Sequence, residues 1–334
     1  MKHDEERGDL VDFAVLIVAY RRADNVEKIA KSSIDYGFQE IFIHVDGVGS
    51  TDPQIVEDQK KMSNFLKSLK ANTSTKVQVL QSTHNKGIAV SIISACDWVF
   101  STSSRSFLIV LEDDCLPTEE FFEFCREYSN FLSHPQNLLL CGTNPSPKTL
   151  STGIPILSHY SLTWGWMTNR EKWSKIKRFY RVKPIWTVLI DLASFRKVDC
   201  FWNAGYRRAI QGITDVWDTV LVRSLRNQKL FAILPPWTLV SNVGNDNFAT
   251  HTKPGSTWTL PVSNPKKVGL FNPLKDKSVD SWFEDHLFQI RSRHVITTKF
   301  TLFKDIFTRS QRRFQNSLPN RLTQENGNKS LNNQ

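Results

Sequence analysis

The chain of 334 residues contains no apolar run long enough to cross a membrane, and its first residues, MKHDEERGDLVD, contain no apolar signal core. A membrane-spanning helix needs about 20 predominantly apolar residues, and a secretory signal needs an apolar h-region. Cysteine is also scarce. The five Cys form no CxxC pair and no metal-type spacing, so the sequence predicts neither a disulfide framework nor a zinc site. We therefore expect a cytoplasmic protein with reduced thiols.

Positive charge is concentrated at one end of the chain. Residues 288–334 contain nine Lys/Arg and two acids, so this segment supplies +7 of the net charge of +10 and the rest only +3. A body of such low charge does not suit nucleic acid, and we expect no nucleic-acid partner. Basic and apolar residues are mixed over 299–313. This pattern predicts either an interfacial helix on anionic lipid or a helix packed on the domain.

Strand and helix patterns alternate in the first part of the chain. Apolar runs predict strands at 13–18, 41–45, 77–80, 107–111 and 138–141, and amphipathic spacing predicts helices beginning at Asn25, Pro53, Ile88 and after Thr118. This alternation predicts an α/β fold with a doubly wound, mostly parallel sheet and helices on both faces. A stretch rich in Ser, Thr, Gly and Pro, 143–161, predicts a loop.

Three consecutive acids, Glu112, Asp113 and Asp114, directly follow the fourth predicted strand. Acids are favoured near helix N-termini, so an approach to the next helix is the simplest interpretation. Three carboxylates at the end of a buried strand exceed that need, however, and their desolvation calls for a cation. Oxygen ligands suit Mg²⁺ or Mn²⁺. We predict that Asp114 binds the metal directly, with Glu112 and Asp113 near a ribose and the metal's waters.

The ends of the other predicted strands carry side chains suited to a nucleotide. Strand one ends at Ala19, Tyr20 and Arg21, and strand two at Asp46. Carboxyl ends of parallel strands share the edge at which such sheets bind ligands. An aromatic ring there can stack on a base, a carboxylate can accept the base's N–H groups, and arginine can neutralise a diphosphate. The turn around Lys86 leaves backbone N–H groups that can face phosphate. Each segment is also compatible with an ordinary turn.

Three later motifs carry the remaining candidates. LTWGWM places Gly165 between two tryptophans, where the backbone can approach a ligand and Trp166 can form a wall. Asp215 and Asp218 flank a third tryptophan, and either can take a proton from an alcohol, although Asp215 can equally cap a helix. His251 is a candidate ligand of the metal or diphosphate; a lone histidine is more often structural.

In this order the motifs resemble a nucleotide-diphospho-sugar glycosyltransferase of the GT-A fold. The chain is similar to the inverting N-acetylglucosaminyltransferase I family and its bacterial relatives. The resemblance covers residues 13–252 and rests on VLIVAYRR, HVDG, HNKGIA, FLIVLEDDCLPTEEFFEF, LTWGWMTNREKW, DVWD and SNVGNDNFATHT. The acid triplet with its flanks is the specific element, and the order of the others supports it.

The resemblance implies a role for each matching position. The family's metal-binding Glu-Asp-Asp motif corresponds to Glu112-Asp113-Asp114, its Gly-Trp segment beside donor sugar and acceptor to Gly165-Trp166, and its Trp-Asp base motif to Trp217-Asp218. In the family two adjacent acids follow that tryptophan, whereas Thr219 follows Asp218 here. Asp215 therefore stays an alternative base.

The implied activity is inverting transfer of a sugar, with Mn²⁺ or Mg²⁺, from a nucleotide-diphosphate sugar to a hydroxyl of a glycan or lipid-linked glycan acceptor. We expect a nucleotide-sugar-binding half at 1–142, an acceptor and catalytic half of the same domain at 143–290, and a basic amphipathic tail at 291–334. If that tail is an interfacial helix, it contacts the inner face of the membrane; the alternative is a helix packed on the domain. A nucleotidyltransferase that makes nucleotide sugars would need a Gly-rich loop after strand one, and AYRR contains no Gly. A catalytically inactive sugar-nucleotide-binding protein is the third alternative.

Overall fold

A computed structural model describes residues 8–49, 51–146, 153–181, 197–210, 212, 214–244 and 268–291. His251, residues 245–252 of the SNVGNDNFATHT segment and residues 292–334 of the basic tail lie outside these ranges. No helix within them is both long and apolar enough to cross a membrane.

The elements that the structure describes follow the predicted alternation. The strands are β1 (Phe13–Ala19), β2 (Glu40–Val45), β3 (Lys76–Gln81), β4 (Phe107–Glu112), β5 (Cys115–Pro117), β6 (Asn137–Cys141), β7 (Ile156–Ser158), β8 (Trp166–Asn169), β9 (Phe231–Leu234), β10 (Val240–Asn242) and β11 (Leu274–Lys275). The helices are α1 (Ala23–Tyr36), α2 (Pro53–Asn72), α3 (Ile88–Thr102), α4 (Glu119–Tyr128), α5 (Arg170–Phe179), α6 (Lys197–Ile210), α7 (Asp218–Asn227) and α8 (Lys277–Arg291). Short 3₁₀ turns cover Gly8–Asp12 and Ser129–Ser133.

One nine-stranded sheet has the order β11-β7-β9-β6-β8-β4-β1-β2-β3, and β5 and β10 form a separate antiparallel pair. β4, β1, β2 and β3 pair in parallel, as do β6 and β9. β8 is antiparallel to both β4 and β6, so β6 runs in the same direction as β4. The carboxyl ends of β1, β2, β3, β4, β6 and β9 therefore meet at one edge, which we call the carboxyl edge. Strands from both predicted halves belong to this sheet.

Side chains of the central strands alternate between two cores, one on each face of the sheet. In β1, Leu16 and Val18 enter a core with residues of α3, α5 and α7, while Val15 and Ile17 enter a core with residues of α1, α2 and α4. All seven residues of β1 are buried. A strand covered on both faces is expected to be a continuous apolar run, which explains why β1 could be predicted from its sequence. The predicted α/β fold, with a mostly parallel sheet and helices on both faces, is confirmed.

Two local predictions are corrected. The stretch that we expected to be a loop contains the strand β7. Its residues pair with β9 and β11, which are distant in the sequence, so the local pattern gave no sign of a strand. Thr118 precedes α4 as expected, but its side chain donates or accepts no capping hydrogen bond. In the described structure the Thr118 hydroxyl is buried without a partner.

Candidate active site at the carboxyl edge

The acid triplet lies at the middle of the carboxyl edge, at the end of β4. Glu112 is the last residue of that strand and stands opposite Val18 of β1. The indole Nε1 of Trp217 donates a hydrogen bond to Glu112 Oε1 at 3.3 Å, although the two residues are 105 positions apart. Folding therefore places the Trp217-Asp218 motif beside the acid triplet.

Glu112 is in an environment that disfavours its charge. Burial raises the pKa of this carboxyl well above its ordinary value, and the nearby carboxylates of Asp114, Asp218 and Asp113 raise the pKa further. The hydrogen bond from Trp217 acts in the opposite direction. Glu112 forms no ion pair with any residue that the structure describes. A cation at this position would relieve both the desolvation and the repulsion.

Asp114 lies in the turn after β4 and contacts Val243 and Gly244, the residues that directly follow β10. Burial and the charge of Asp113 raise its pKa, and the Arg22 guanidinium partly offsets that increase. Asp114 Oδ1 accepts a hydrogen bond from Cys115 Sγ at 3.2 Å. Its backbone carbonyl accepts one from Val243 N at 2.8 Å. A Cβ added at Gly244 would overlap the Asp114 carboxylate, so a larger residue there would require that carboxylate to move.

Sequence reasoning did not assign Gly244 to the site. The signal was present as a glycine in SNVGND, soon after the run that forms β10. Because β10 pairs with β5, Asn242 stands opposite Cys115, and the chain that continues from β10 passes over Asp114. The contact thus depends on a pairing between segments more than 120 residues apart.

Glu112 and Asp114 fit a divalent cation by chemistry, although they do not form a complete cage. Across the described ranges, no group of three or more His, Cys, Asp or Glu side chains is arranged to hold a metal. Mg²⁺ is commonly held by one or two carboxylates together with substrate phosphates, so two neighbouring carboxylates meet that requirement. The oxygen donors also suit Mn²⁺.

Asp113, which we predicted to lie near a ribose, is engaged within the protein. Its Oδ2 accepts hydrogen bonds from the backbone N–H of Tyr20 at 2.9 Å and of Arg21 at 3.2 Å. Its Oδ1 pairs with Arg22 Nη1 at 2.9 Å, and both side chains are at most 15% exposed. Asn25 Nδ2 donates to its backbone carbonyl. Asp113 therefore holds the β1–α1 loop.

Tyr20 and Arg21 differ in their availability to a ligand. Arg21 donates through Nε at 2.9 Å and Nη2 at 2.7 Å to Asp58 on α2, so its guanidinium is engaged rather than directed at a diphosphate. Tyr20 is half-buried, and within the described structure its ring stacks on no other ring and its hydroxyl forms no hydrogen bond. The prediction that the Tyr20 ring stacks on a base is compatible with this arrangement.

Asp46, the predicted acceptor for the N–H groups of a base, is also engaged within the protein. Its Oδ1 accepts from Gly47 N and Lys86 N, both at 2.9 Å, and its Oδ2 accepts from Gly87 N at 3.0 Å. Its own N–H donates to the carbonyl of Ala19 at 2.9 Å. Asp46 is 6% exposed. The N–H group of Lys86 that we expected to face phosphate thus binds this carboxylate, which ties together the loops after β1, β2 and β3.

The next two N–H groups of the same turn bind Asp215. Ile88 N donates to Asp215 Oδ2 at 2.8 Å, and Ala89 N donates to Asp215 Oδ1 at 3.0 Å. Both carboxylate oxygens of Asp215 are therefore used at the N-terminus of α3. The capping alternative is the one observed, on a helix more than 110 residues earlier in the chain.

Asp218 has a carboxylate oxygen that remains available. It is the first residue of α7, and its Oδ1 accepts from Thr219 N at 2.7 Å and Thr219 Oγ1 at 3.3 Å. Among the described residues, none donates to Asp218 Oδ2. Of the two candidate bases, Asp218 is the one with a free acceptor atom near Glu112.

Trp166 lies in the core, which corrects its predicted role as a wall of the ligand site. Its side chain is 0% exposed. Its ring centroid lies 5.2 Å from that of Trp217 and 6.3 Å from that of Trp173. Trp166 therefore packs against the ring of Trp217 inside the core. Trp164, just before β8, is half-buried and closer to the carboxyl edge.

Gly165 is required by packing instead of by a ligand. Its backbone is left-handed, with φ of +68°. A Cβ there would lie 2.7 Å from Val240 Cγ2, 3.2 Å from Leu111 Cδ2 and 3.3 Å from Phe121 Cζ. These are atoms of the core, so the close approach that we expected does occur, but to other parts of this chain.

Comparison with known proteins gives distant structural likenesses. The chain matches no family model and no curated protein. The crystal structure of residues 1–349 of S. aureus TarS aligns with a TM-score of 0.32 and 14% identity, over 47% of this chain and 47% of that chain. A cytidylyltransferase from Leptospira borgpetersenii serovar Hardjo-bovis aligns with a TM-score of 0.31 and 11% identity, over 50% of this chain and 64% of that chain. Each alignment spans less than two thirds of the other protein, and we take no residue role from either.

Proposed function

We propose that the protein is a metal-dependent, inverting glycosyltransferase. It would move a sugar from a nucleotide-diphosphate sugar to a hydroxyl of a glycan or lipid-linked glycan acceptor. The observation that carries this proposal is the hydrogen bond from Trp217 to Glu112, because it brings the candidate base Asp218 close to the carboxylates of Glu112 and Asp114.

The donor side of the proposal rests on Asp114, Glu112 and Tyr20. Asp114, with the diphosphate of the donor, would hold Mn²⁺ or Mg²⁺, and Glu112 would contribute negative charge beside it. When bound, such a metal supplies Lewis-acid stabilisation of the charge on the departing nucleoside diphosphate. The ring of Tyr20 offers a stacking surface for the base at the same edge.

The acceptor side rests on Asp218. Its Oδ2 would take the proton of the acceptor hydroxyl while the hydroxyl oxygen bonds to the anomeric carbon of the donor. The bond from that carbon to the phosphate oxygen breaks on the opposite face, which inverts the configuration. The nucleoside diphosphate leaves with the electron pair of that bond.

The test is a screen of nucleotide sugars with the full chain and Mn²⁺, with and without glycan acceptors, in which release of nucleoside diphosphate is measured. We expect turnover that is lost with EDTA and restored by Mn²⁺. Asp218→Asn should lower kcat by about 10²–10⁴, the usual contribution of a general base. Undiminished turnover in Asp114→Asn would refute the assignment of the metal ligand.

A second assay separates this reaction from nucleotidyl transfer. The protein is incubated with a nucleoside triphosphate and a sugar 1-phosphate, and pyrophosphate is measured. Pyrophosphate release without consumption of any nucleotide sugar would show that the reaction is nucleotidyl transfer and that our proposal is wrong.

A further inference from the structure

The segment 214–218 connects two parts of the carboxyl edge, and Asp215 forms the connection. We infer that Asp215 is a positioning residue that holds Trp217 and Asp218 against Glu112 by binding the N-terminus of α3. This inference rests on the proposed function only in giving Asp218 a role in the reaction. The positioning itself is a property of the protein without substrates.

The first support is the two-point contact of Asp215 with α3. Each carboxylate oxygen accepts one backbone N–H, from Ile88 and from Ala89. A helix N-terminus favours a negative charge, since its first N–H groups have no partner within the helix. Gly87, with φ of +80°, makes room for this contact, because a Cβ there would overlap the Asp215 carboxylate.

The second support is what the segment does two residues later. Trp217 donates to Glu112 and its ring lies against Trp166. The hydroxyl of Tyr180 donates to the backbone carbonyl of Trp217 at 2.7 Å. The segment is thus held by α3 on one side and by the core and Tyr180 on the other.

The third support is the position of α3 itself. This helix follows β3, so its N-terminus lies at the carboxyl edge together with the acid triplet. Asp46 binds the N–H groups of Lys86 and Gly87, immediately before those that Asp215 binds. The turn that receives Asp215 is therefore itself attached to the end of β2. A rigid turn of this kind can position the residues that follow Asp215.

Hydrogen exchange tests the positioning without any substrate. We compare the wild type with Asp215→Ala and Asp215→Asn in peptides that cover 85–92 and 214–220. In Asp215→Ala we expect exchange in both peptides to accelerate by about five- to thirtyfold, the change that accompanies loss of a helix cap. Asp215→Asn keeps one acceptor oxygen and should lie between the two.

Kinetics test the consequence for the reaction. We expect Asp215→Ala to lower kcat by about tenfold with little change in the KM for the nucleotide sugar, because the donor-side residues stay in place. Asp215→Asn should recover most of that loss. Gly87→Ala should resemble Asp215→Ala, and the two changes together should cost less than the sum of each, since they break the same contact.

Asn169→Ala is the matched control. Asn169 Oδ1 caps α5 by accepting from Lys172 N at 2.9 Å, and Asn169 stands opposite Phe107, at the far end of β4 from the acid triplet. We expect faster exchange only at the start of α5 and unchanged kcat.

Two results would overturn the inference. One is unchanged exchange in both peptides of Asp215→Ala. The other is an Asp215→Asn variant as inactive as Asp218→Asn but with wild-type exchange, which would make Asp215 the base. Accelerated exchange in a protein that transfers no sugar would support the positioning and refute the proposed function, so the two failures are distinguishable.

Discussion

Gly165→Ala should destabilise the fold by about 2–5 kcal/mol. The left-handed backbone at this position, with φ of +68°, costs an L-residue roughly 1–2 kcal/mol. The new methyl would also lie 2.7 Å from Val240 Cγ2 and near Leu111 and Phe121, which are buried and can move little. Overpacking of a core typically costs about 1–3 kcal/mol. The two contributions arise from different atoms and should add.

Two other glycine substitutions and one valine substitution separate the backbone cost from the packing cost. Gly153 has φ of +66° but its nearest Cβ neighbour would be Trp237 at 3.9 Å, so Gly153→Ala carries only the backbone cost. Gly142 has no positive φ, yet a Cβ there would overlap Val240, so Gly142→Ala carries only the packing cost. Val240→Ala in the Gly165→Ala background removes the nearest obstacle and should recover part of the packing cost.

The assay is equilibrium unfolding in urea, with the midpoint and slope compared across the four variants. We expect Gly165→Ala to be less stable than Gly153→Ala by about 1–3 kcal/mol. Equal losses in these two variants would refute the packing argument. A Gly165→Ala protein of normal stability that no longer binds nucleotide sugar would restore the original interpretation, in which the glycine makes room for a ligand.

Two further predictions concern buried polar residues. Asp113→Ala should cost about 3–5 kcal/mol in urea unfolding, because it removes the acceptor of the Tyr20 and Arg21 backbone N–H groups and breaks the ion pair with Arg22. Asp113→Asn should cost less. A loss below about 1 kcal/mol would contradict the structural role of Asp113. Burial lowers the pKa of His44 from 6.5 to about 4. Between pH 6.5 and 4 the imidazole of His44 is therefore protonated in the unfolded chain but neutral in the folded chain. The stability that comes from burying neutral His44 is present above pH 6.5 and is lost as the pH falls towards 4. Between pH 7.5 and 4.5 the free energy of unfolding in urea should fall by roughly 2–3 kcal/mol in the wild type, and this decrease should be absent in His44→Gln. An equal decrease in His44→Gln would show that other groups cause it.

The central strands could be predicted because burial on both faces requires a continuous run of apolar residues. Every residue of β1 is buried, and the run FAVLIVA contains no polar residue. β7 could not be predicted in the same way. It has three residues, one of them Ser158, and it is a strand because β9 lies beside it. Short strands of this kind take their conformation from a partner that is distant in the sequence.

The site could be predicted only in part, because a carboxylate at a strand end has two possible uses. It can face a ligand, or it can accept the N–H groups of neighbouring loops. Asp46 and Asp113 take the second course, and most of their donors are backbone N–H groups, which every residue type except proline provides. Nothing in the identity of the residues distinguishes the two cases. Arg21 is a similar case, since its partner Asp58 lies on α2, 37 residues later in the chain.

Alternation of side chains along β4 separates the roles within the acid triplet. Leu108 and Val110 enter one core and Ile109 and Leu111 the other, so Glu112 continues the row of Val110, towards α7 and Trp217. Asp113 falls on the opposite side, where Arg22 and the β1–α1 loop neutralise it. Asp114 is in the turn beyond the strand, and of the three neighbouring carboxylates its charge raises the pKa of Glu112 most. Asp113 therefore stabilises the fold, while Glu112 and Asp114 are two neighbouring carboxylates whose charges disfavour each other. A metal that binds to this edge should depend on Glu112 and Asp114 and tolerate neutralisation of Asp113 as long as the loop stays folded.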